Sequence, residues 1–277
     1  MNVFLTVLSS DEYLLGVLTL HKSLVSTRTK YPFYVAITSD ISKKTIEVLE
    51  NININIIKLD NNIKLSEKMK NKNSKSGYSQ WNNTLQKLSI FQLTKFKKIV
   101  YLDSDMLILN NIDELFNKKH MSAVVAGALI PGREDWKLLN SGIMVIEPKK
   151  NLGVNIAKTI DIVSEKKGCF GDQDLIQEYY NEWDKNKELE LNHKYNIFIN
   201  DLEFYCKKYD YNVKKIFNNN NSISVVHFVG EKKPWMLDKE ELVKYLLVLI
   251  KNVEFNTLKV YLRYLKLLSI SKKEKVK

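Results

Sequence analysis

The sequence predicts an α/β fold, in which a mostly parallel, twisted sheet is flanked by helices. Short apolar runs rich in β-branched residues alternate along the chain with amphipathic stretches of helical period. The run at 99–102 is apolar throughout, which is typical of a strand buried on both faces. The chain has 277 residues, 44% of them hydrophobic and 27% charged, so it can bury a sizeable core in one large domain or two small ones.

The predicted elements follow one another from the N-terminus. Strands are expected at 3–8, 33–38, 54–59, 99–102, 122–129, after a polar corner at 140–142, and at 222–228, and helices at 14–25, 42–49, 81–91, 151–166 and 175–179. The polar stretch 60–80 is expected to be a lid over a site or a disordered insertion. Residues 182–222 have weak periodicity and predict an irregular region. Apolar positions from 238 to 270 predict one or two C-terminal amphipathic helices.

Two acidic residues follow the buried run at 99–102 directly. In an extended segment, residues i and i+2 point the same way, so Asp103 and Asp105 would project together from the strand end. Such a pair is repulsive unless a cation joins it, and carboxylate oxygens suit Mg²⁺ or Mn²⁺. Ligands of open α/β sheets bind at the carboxyl ends of the strands. The tripeptide with Ser104 alone favours a simple turn, but the stretches described below favour a metal site.

Other side chains occupy positions from which they could act on a ligand. Tyr13 is expected in the first turn of the first helix, where it would either stack on a base or be exposed to solvent. Asp172 fits a helix N-cap as well as a side chain aimed into a cleft. His227 ends a predicted strand just before Gly230 and Lys233. That position favours a metal ligand over a core histidine.

The net charge of +11 favours an anionic partner, which would be a nucleotide phosphate, an acidic membrane surface or a nucleic acid. The basic residues are spread along the chain, with a modest concentration at 64–75 and 272–277. Nucleic-acid binding needs basic and aromatic residues clustered on one face, so no nucleic-acid partner is expected.

The compartment is predicted from the cysteines and the apolar runs. Cys169 and Cys206 show neither zinc-site spacing nor a disulfide framework, so a reducing compartment is expected. The first residues lack a basic segment and a cleavage site, so they are expected to form a strand and not a signal peptide. No apolar run approaches the roughly 20 residues of a spanning helix. A cytoplasmic protein is therefore expected.

Seven stretches of the chain resemble one family in their residues and in their order. They are 4–13 (FLTVLSSDEY), 101–105 (YLDSD), 110–116 (NNIDELF), 140–142 (NSG), 171–173 (GDQ), 195–196 (YN) and 227–235 (HFVGEKKPW). Together they resemble the glycogenin-like glycosyltransferases of family eight, which are retaining enzymes with a Rossmann-like GT-A fold. The Asp-x-Asp motif alone is weak, whereas its occurrence with HFVGEKKPW is specific.

The resemblance implies a role for each matched residue. Asp103, Asp105 and His227 would bind the metal, with Mn²⁺ favoured and Mg²⁺ as the alternative. The donor would be bound by these two aspartates and by Val7, Ser9, Ser10, Tyr13, Lys87, Ser104, Asn140, Ser141, Gly230 and Lys233. The catalytic residues would be Asp172, Gln173 and Lys233.

Two departures from the family pattern concern the donor. The family commonly has an arginine about ten residues before the helix lysine, where this chain has Gly77, Tyr78 and Ser79. In glycogenin an aspartate stands three residues before the Asp-Gln pair, where this chain has Cys169. The first departure removes one expected donor contact, and the second changes a position that bears on the fit of a glucosyl donor.

The implied activity is an Mn²⁺-dependent transfer of a hexose, with glucose favoured, from a UDP-sugar to a hydroxyl of a glycan or protein (EC 2.4.1 type), self-glycosylation of a tyrosine included. The alternatives are an inactive UDP-sugar-binding module and a sugar nucleotidyltransferase, which would require a Gly-rich basic loop at 8–11.

Residues 1–236 would form the GT-A domain and 237–277 a C-terminal helical extension with a basic tail. That extension suits packing on the core or peripheral contact with an anionic membrane, and a homodimer stays open.

Overall fold

The computed structural model describes residues 1–59, 71, 73–76, 79–211, 213 and 222–276. Most of the predicted lid at 60–80 lies outside these residues, as do Gly77 and Tyr78. The chain forms two compact units. Unit 1 comprises Met1–Asp11, Tyr31–Leu102 and Leu115–Leu191, and unit 2 comprises Glu12–Lys30, Asp103–Glu114 and Asn192–Lys277.

The strands form two sheets. Their bounds are β1 Asn2–Leu8, β2 Phe33–Ile37, β3 Asn55–Lys58, β4 Lys98–Leu102, β5 Met106–Ile108, β6 Ser122–Val125, β7 Leu139–Ile146, β8 Ile197–Phe198 and β9 Val225–His227. In unit 1 the order is β3-β2-β1-β4-β7-β6, and β1 to β4 run parallel while β7 runs antiparallel to both of its neighbours. The predicted mostly parallel sheet is confirmed.

The helices lie between these strands in the chain. Their bounds are α1 Leu14–Ser26, α2 Lys43–Asn51, α3 Leu152–Ala157, α4 Ile160–Lys166, α5 Asp172–Tyr179, α6 Leu202–Tyr209, α7 Lys239–Lys251 and α8 Phe255–Val276, with a long 3-10 segment at Ser79–Gln92. Among the helices described here, none has both the length and the apolar character required to cross a bilayer.

The core of unit 1 is made by apolar side chains from the sheet and from the segments packed on it. Leu88 and Phe91 of the 3-10 segment are fully buried in the same cluster as Tyr101 of β4 and Met144 of β7. Strands β4 and β7 consist almost entirely of buried residues, as expected for inner strands covered on both faces. The apolar run at 99–102 therefore occupies the centre of the sheet.

Unit 2 contains a small sheet of order β5-β9-β8 and the C-terminal helices. Helix α8 packs on α1, where Tyr264 is fully buried and the hydroxyl of Thr19 donates to Ser271 Oγ. Lys22 and Glu274 form an ion pair at the end of this contact. The C-terminal helix is thus a packed element of unit 2. The boundary predicted at 236/237 stays a prediction.

The structure corrects the predicted elements in several places. The helix expected at 81–91 is a 3-10 segment, and the strand expected at 122–129 ends at Val125. Residues 140–142 lie inside β7 and do not form a corner before it. The helix expected at 151–166 is two helices, α3 and α4, separated at Lys158 and Thr159. The region expected to be irregular, 182–222, contains β8 and α6 among its described residues. In β7 and β8, pairing with neighbouring strands outweighs the local sequence signal.

Candidate functional site

The acidic motif and the predicted histidine meet in unit 2 because β5 pairs with β9. The register places Met106 opposite His227, and the amide N–H of Phe228 donates to the carbonyl oxygen of Asp105 at 2.9 Å. Backbone pairing therefore sets the distance between the acidic motif and the histidine. Gly16 of α1 lets this loop approach closely, because a Cβ at that position would lie 2.9 Å from the carbonyl oxygen of Ser104.

Three potential metal ligands converge at this point. His227 Nε2 lies 3.1 Å from Asp105 Oδ1 and 3.8 Å from Asp103 Oδ2. One ligand atom from each residue falls within 4.8 Å of the others. Asp105 and His227 are buried, whereas Asp103 is partly exposed. Residues 104 and 105 form a turn and not the extended segment that was expected, and the two carboxylates nevertheless lie close enough to share a ligand.

The histidine ring is oriented by an amide. Asn196 Oδ1 lies 3.0 Å from His227 Nδ1, so Nδ1 carries the proton that this hydrogen bond needs. Nε2 then faces two carboxylates, and the lone pair of an unprotonated, unligated Nε2 would repel their oxygens. A proton or a metal ion at Nε2 resolves this conflict. The carboxylate–imidazole donor set, with an amide orienting the ring from behind, is one that fits Mn²⁺.

Lys233 brings a second cation to the same carboxylate. Its Nζ lies 2.6 Å from Asp105 Oδ2 and 3.1 Å from the carbonyl oxygen of Phe228. Burial alone would raise the pKa of Asp105, but the charges of His227 and Lys233 and the hydrogen bonds from both hold it well below its usual range. Burial would lower the pKa of Lys233, yet Asp105 raises it above its ordinary value. Both groups are charged at neutral pH.

An aromatic pair adjoins these charges. The rings of Tyr13 and Trp235 make a T-shaped contact with centroids 5.7 Å apart, and the indole N–H of Trp235 donates to the carbonyl oxygen of Glu12 at 2.9 Å. Burial raises the pKa of the Tyr13 hydroxyl, and Lys233 partly offsets this increase. Tyr13 as a whole is half-buried. Gly230, which precedes Lys233, has a φ of +112° that only glycine adopts readily.

A second polar cluster lies in unit 1. Lys87 Nζ is 2.8 Å from Asp172 Oδ2, and Ser141 Oγ donates to the same oxygen at 2.8 Å. Lys87 also lies 4.8 Å from the centre of the Tyr101 ring. The amide N–H of Asp172 donates to Thr84 Oγ1 at 3.1 Å. Asp172 begins α5 with its carboxylate in the first turn, where the helix dipole favours negative charge.

The neighbouring amides extend this cluster. Gln173 Oε1 accepts hydrogen bonds from Asn140 Nδ2 at 3.0 Å and from the backbone N–H of Ser141 at 3.1 Å. Asn140 Oδ1 in turn accepts from the N–H of Gly142 at 2.9 Å. The five side chains predicted from the 140–142 and 171–173 motifs and from the helix lysine therefore meet in unit 1: Lys87, Asn140, Ser141, Asp172 and Gln173.

The remaining predicted donor residues follow one another at the end of β1. Val7, Ser9 and Ser10 are half-buried and belong to unit 1. Two residues with clear contacts to the predicted site were not assigned a role from the sequence. Asn196 belongs to the 195–196 stretch that resembles the family, and this match is the sequence signal that could have identified it. Thr84, the partner of the Asp172 backbone, carries no recognisable sequence signal.

Four tyrosines of the segment 195–211 lie in unit 2, and three of them, Tyr205, Tyr209 and Tyr211, pack against the His193 ring. Tyr195 and Tyr205 are buried, and the Tyr195 hydroxyl donates to Glu114. Tyr211 bonds His193 Nε2 through its hydroxyl at 2.6 Å, and the Tyr209 ring centroid lies 4.2 Å from that of His193. These contacts indicate a packed aromatic cluster.

Comparison with known proteins was made by sequence and by structure. A model of glycosyl transferase family 8 matches residues 4–239. Rabbit (Oryctolagus cuniculus) glycogenin-1 is 32% identical over 244 residues, which cover 84% of this chain. The aligned part spans 65% of rabbit glycogenin-1 and 43% of human glycogenin-2, which is also 32% identical.

Solved structures share the fold. The galactosyltransferase LgtC, determined with donor and acceptor sugar analogs, superposes with a TM-score of 0.62 at 16% identity and covers 97% of this chain and 95% of its own. The glycosyltransferase GlyE of Streptococcus pneumoniae TIGR4 gives a TM-score of 0.57 at 17% identity, covering 88% and 60%. The fold is therefore that of the GT-A glycosyltransferases. With a family model that covers most of its length and relatives at about a third identity, the chain belongs to glycosyl transferase family 8.

Proposed function

We propose that this chain transfers a hexose, with glucose favoured, from a UDP-sugar to an acceptor hydroxyl with retention of configuration. The transfer would depend on a divalent ion, with Mn²⁺ favoured over Mg²⁺. The observation that carries the proposal is the convergence of Asp103, Asp105 and His227 in a member of family 8. Two carboxylates and an imidazole nitrogen form a donor set for a transition-metal ion, and the nitrogen disfavours Mg²⁺. A bound divalent ion would neutralise the charge that develops on the departing diphosphate.

Lys233 is proposed to contact that diphosphate. Its ammonium group is buried and carries full charge at neutral pH because Asp105 raises its pKa. A cation that contacts the departing diphosphate would stabilise the negative charge that develops on it in the transition state. The positive φ of Gly230 shapes the turn that leads into Lys233, and a close backbone at this position would suit a phosphate oxygen.

The family resemblance supplies the proposal for the nucleoside. Val7, Ser9 and Ser10 would hold uracil and ribose, and Tyr13 would stack on the base. The partial exposure of Tyr13 and its T-shaped contact with Trp235 support this role, since a ring held by an aromatic neighbour is a preorganised platform.

The buried cluster of unit 1 is proposed to position the transferred sugar. Asn140 and Gln173 bind one another, so their remaining amide groups are fixed in direction. The Asp172 carboxylate is already engaged by Lys87 and Ser141. An engaged, charge-compensated carboxylate is a weak nucleophile, which favours a front-face route without a covalent intermediate. Asp172 and Gln173 would then act by orienting the donor.

The acceptor is proposed to be a glycan or protein hydroxyl. Self-glycosylation of a tyrosine stays a prediction, and within the described part of 195–211 the half-buried Tyr209 and Tyr211 are better placed for it than the buried Tyr195 and Tyr205. An increase in intact mass after incubation with Mn²⁺ and UDP-glucose would support it. An unchanged mass together with transfer to another acceptor would exclude it.

Peripheral membrane contact through the C-terminal helix is proposed as well. Leu262 and Ile270 are exposed on α8, and Lys266, Lys272 and Lys273 are exposed on the same helix. Apolar and cationic groups side by side suit the surface of an anionic bilayer. Homodimer formation stays a prediction.

The activity is tested by measuring UDP release from UDP-glucose, UDP-galactose and UDP-N-acetylglucosamine with Mn²⁺, with Mg²⁺ and with EDTA. We expect metal-dependent release that is fastest with UDP-glucose. Tight UDP binding without release from any donor would favour the inactive binding module. Production of pyrophosphate from UTP and a sugar phosphate would favour the nucleotidyltransferase.

A further inference from the structure

Lys233 occupies one oxygen of the carboxylate that the metal site requires. We infer that Lys233 is an internal counter-ion of Asp105 that competes with the divalent ion, and that it is released when an anionic diphosphate arrives. This inference rests on the proposed metal site. It goes beyond that proposal because it assigns Lys233 a negative effect on metal affinity in the absence of nucleotide.

The geometry supports direct competition. Lys233 Nζ contacts Asp105 Oδ2 at 2.6 Å while Asp105 Oδ1 faces His227 Nε2 at 3.1 Å, so both oxygens of the carboxylate are engaged. Lys233 also donates to the carbonyl oxygen of Phe228 at 3.1 Å, which holds the ammonium in place. The side chains of Lys233 and Asp105 are only 9% and 10% exposed. Water therefore screens the repulsion between this ammonium and a second cation poorly.

Charge balance explains why the diphosphate of the donor would release Lys233 from Asp105. Asp103 and Asp105 provide two negative charges, which the ammonium of Lys233 partly compensates. A divalent ion alone would balance these two charges, and the ion together with the ammonium leaves an excess of positive charge, so the ion and the ammonium disfavour each other. A diphosphate adds new negative charge and offers Lys233 another partner. Binding of the ion and binding of the diphosphate are then mutually favourable, as linkage requires.

The backbone around Lys233 allows its side chain to exchange partners without unfolding the segment. Trp235 is buried and anchored by its indole hydrogen bond to the carbonyl oxygen of Glu12. Phe228 is fixed by its backbone bond to Asp105. Only the flexible lysine side chain between these anchors needs to move. Its neighbour Lys232 is 69% exposed and pairs with Glu241 away from the carboxylate cluster.

The test is a titration of Mn²⁺ without nucleotide, with free Mn²⁺ measured by electron paramagnetic resonance. Lys233→Met removes the charge but keeps the length of the side chain, and Lys233→Gln keeps a hydrogen-bond donor for Asp105 if the methionine variant is unstable. We expect both variants to bind Mn²⁺ about tenfold more tightly than the wild type, because a nearby cation has been removed. Lys232→Met is the matched control and should bind Mn²⁺ like the wild type.

A second titration in the presence of UDP separates the possible outcomes. The wild type should gain more Mn²⁺ affinity from UDP than either Lys233 variant, since only the wild type releases an ammonium. Unchanged or weaker Mn²⁺ binding in the folded Lys233 variants would overturn the competition but leave the metal site standing. If the wild type and all variants bound no Mn²⁺ with or without UDP, the proposed metal site and this inference would both be wrong.

Discussion

The ammonium of Lys87 lies 2.8 Å from a carboxylate oxygen of Asp172, and both side chains are only 8% exposed. Ser141 donates to the same oxygen, and the Tyr101 ring lies beneath the ammonium. An ion pair this deeply buried carries a desolvation cost and gives little net stability. Its main effect is to fix the direction of each charge, which is the property a sugar-positioning group needs.

Replacement of Lys87 by methionine should therefore be strongly destabilising. It leaves the Asp172 carboxylate buried without its counter-ion, which typically costs about 3–5 kcal/mol. Urea denaturation measures the loss, and the double variant Lys87→Met/Asp172→Leu should recover part of it. Lys185→Met is the control, because Lys185 pairs with Glu182 at the surface and its loss should leave the unfolding midpoint unchanged. A Lys87→Met variant as stable as this control would refute the proposed ion pair.

Asn196→Ala should weaken metal binding without removing a ligand. The amide oxygen orients the His227 ring through Nδ1, and loss of such a partner typically lowers metal affinity about 10–100-fold. Mn²⁺ titration of the folded variant measures this. Asn252→Ala removes an exposed amide of the same unit as a control and should not change Mn²⁺ affinity. Equal Mn²⁺ affinity in the Asn196 and Asn252 variants would mean that the ring needs no such support.

Gly230→Ala should destabilise the turn before Lys233. A side chain at a φ of +112° is strained, which costs on the order of 1–3 kcal/mol. We expect a lower unfolding temperature and slower UDP release, because the turn that presents Lys233 would have to shift. Gly168→Ala is the matched control, since a Cβ there meets no atom within 4 Å and its φ is ordinary. Gly168→Ala should be neutral or slightly stabilising. Equal thermal stability of the two variants would contradict the strain argument.

Membrane contact is best tested by charge reversal, because deletion of the C-terminal helix would remove the buried Val260, Tyr264 and Leu268. Replacement of Lys272, Lys273 and Lys275 by glutamate should abolish sedimentation with vesicles that contain phosphatidylserine while leaving the unfolding temperature unchanged. Lys43→Glu together with Lys44→Glu is the control at the exposed start of α2. Sedimentation that is the same in all three proteins would exclude a role for this helix at membranes.

The sequence predicted the features that depend on local pattern and on the specific motifs. The buried run before Asp103 indicated the inner strand β4, and the i, i+2 spacing of Asp103 and Asp105 indicated their convergence. His227 was expected to join them from the family resemblance, supported by its position at a strand end before Gly230 and Lys233. The β5–β9 register gives the physical reason that it lies beside Asp105.

Other features depend on partners distant in the chain and could not be predicted from it. Lys87 and Asp172 are 85 residues apart in the chain, and no local sequence pattern at either position predicts an ion pair. The antiparallel direction of β7 follows from its pairing with β4 and β6, so the polar motif at 140–142 became part of a strand. The role of Asn196 as the partner of His227 required the three-dimensional register of β8 and β9.

The most direct test of the central claim is the dependence of UDP release on Mn²⁺ in Asp105→Ala and His227→Ala, measured beside the wild type. Folding of each variant is checked first by its unfolding temperature, because Asp105 and His227 are buried and loss of Asp105 leaves Lys233 without its counter-ion. Asp105→Asn, which keeps the shape of the side chain, replaces Asp105→Ala if the alanine variant does not fold. We expect Asp105→Ala to lose Mn²⁺-dependent release and His227→Ala to need a much higher Mn²⁺ concentration. If both variants retained the wild-type rate and the wild-type Mn²⁺ dependence, Asp103, Asp105 and His227 would not be the metal site.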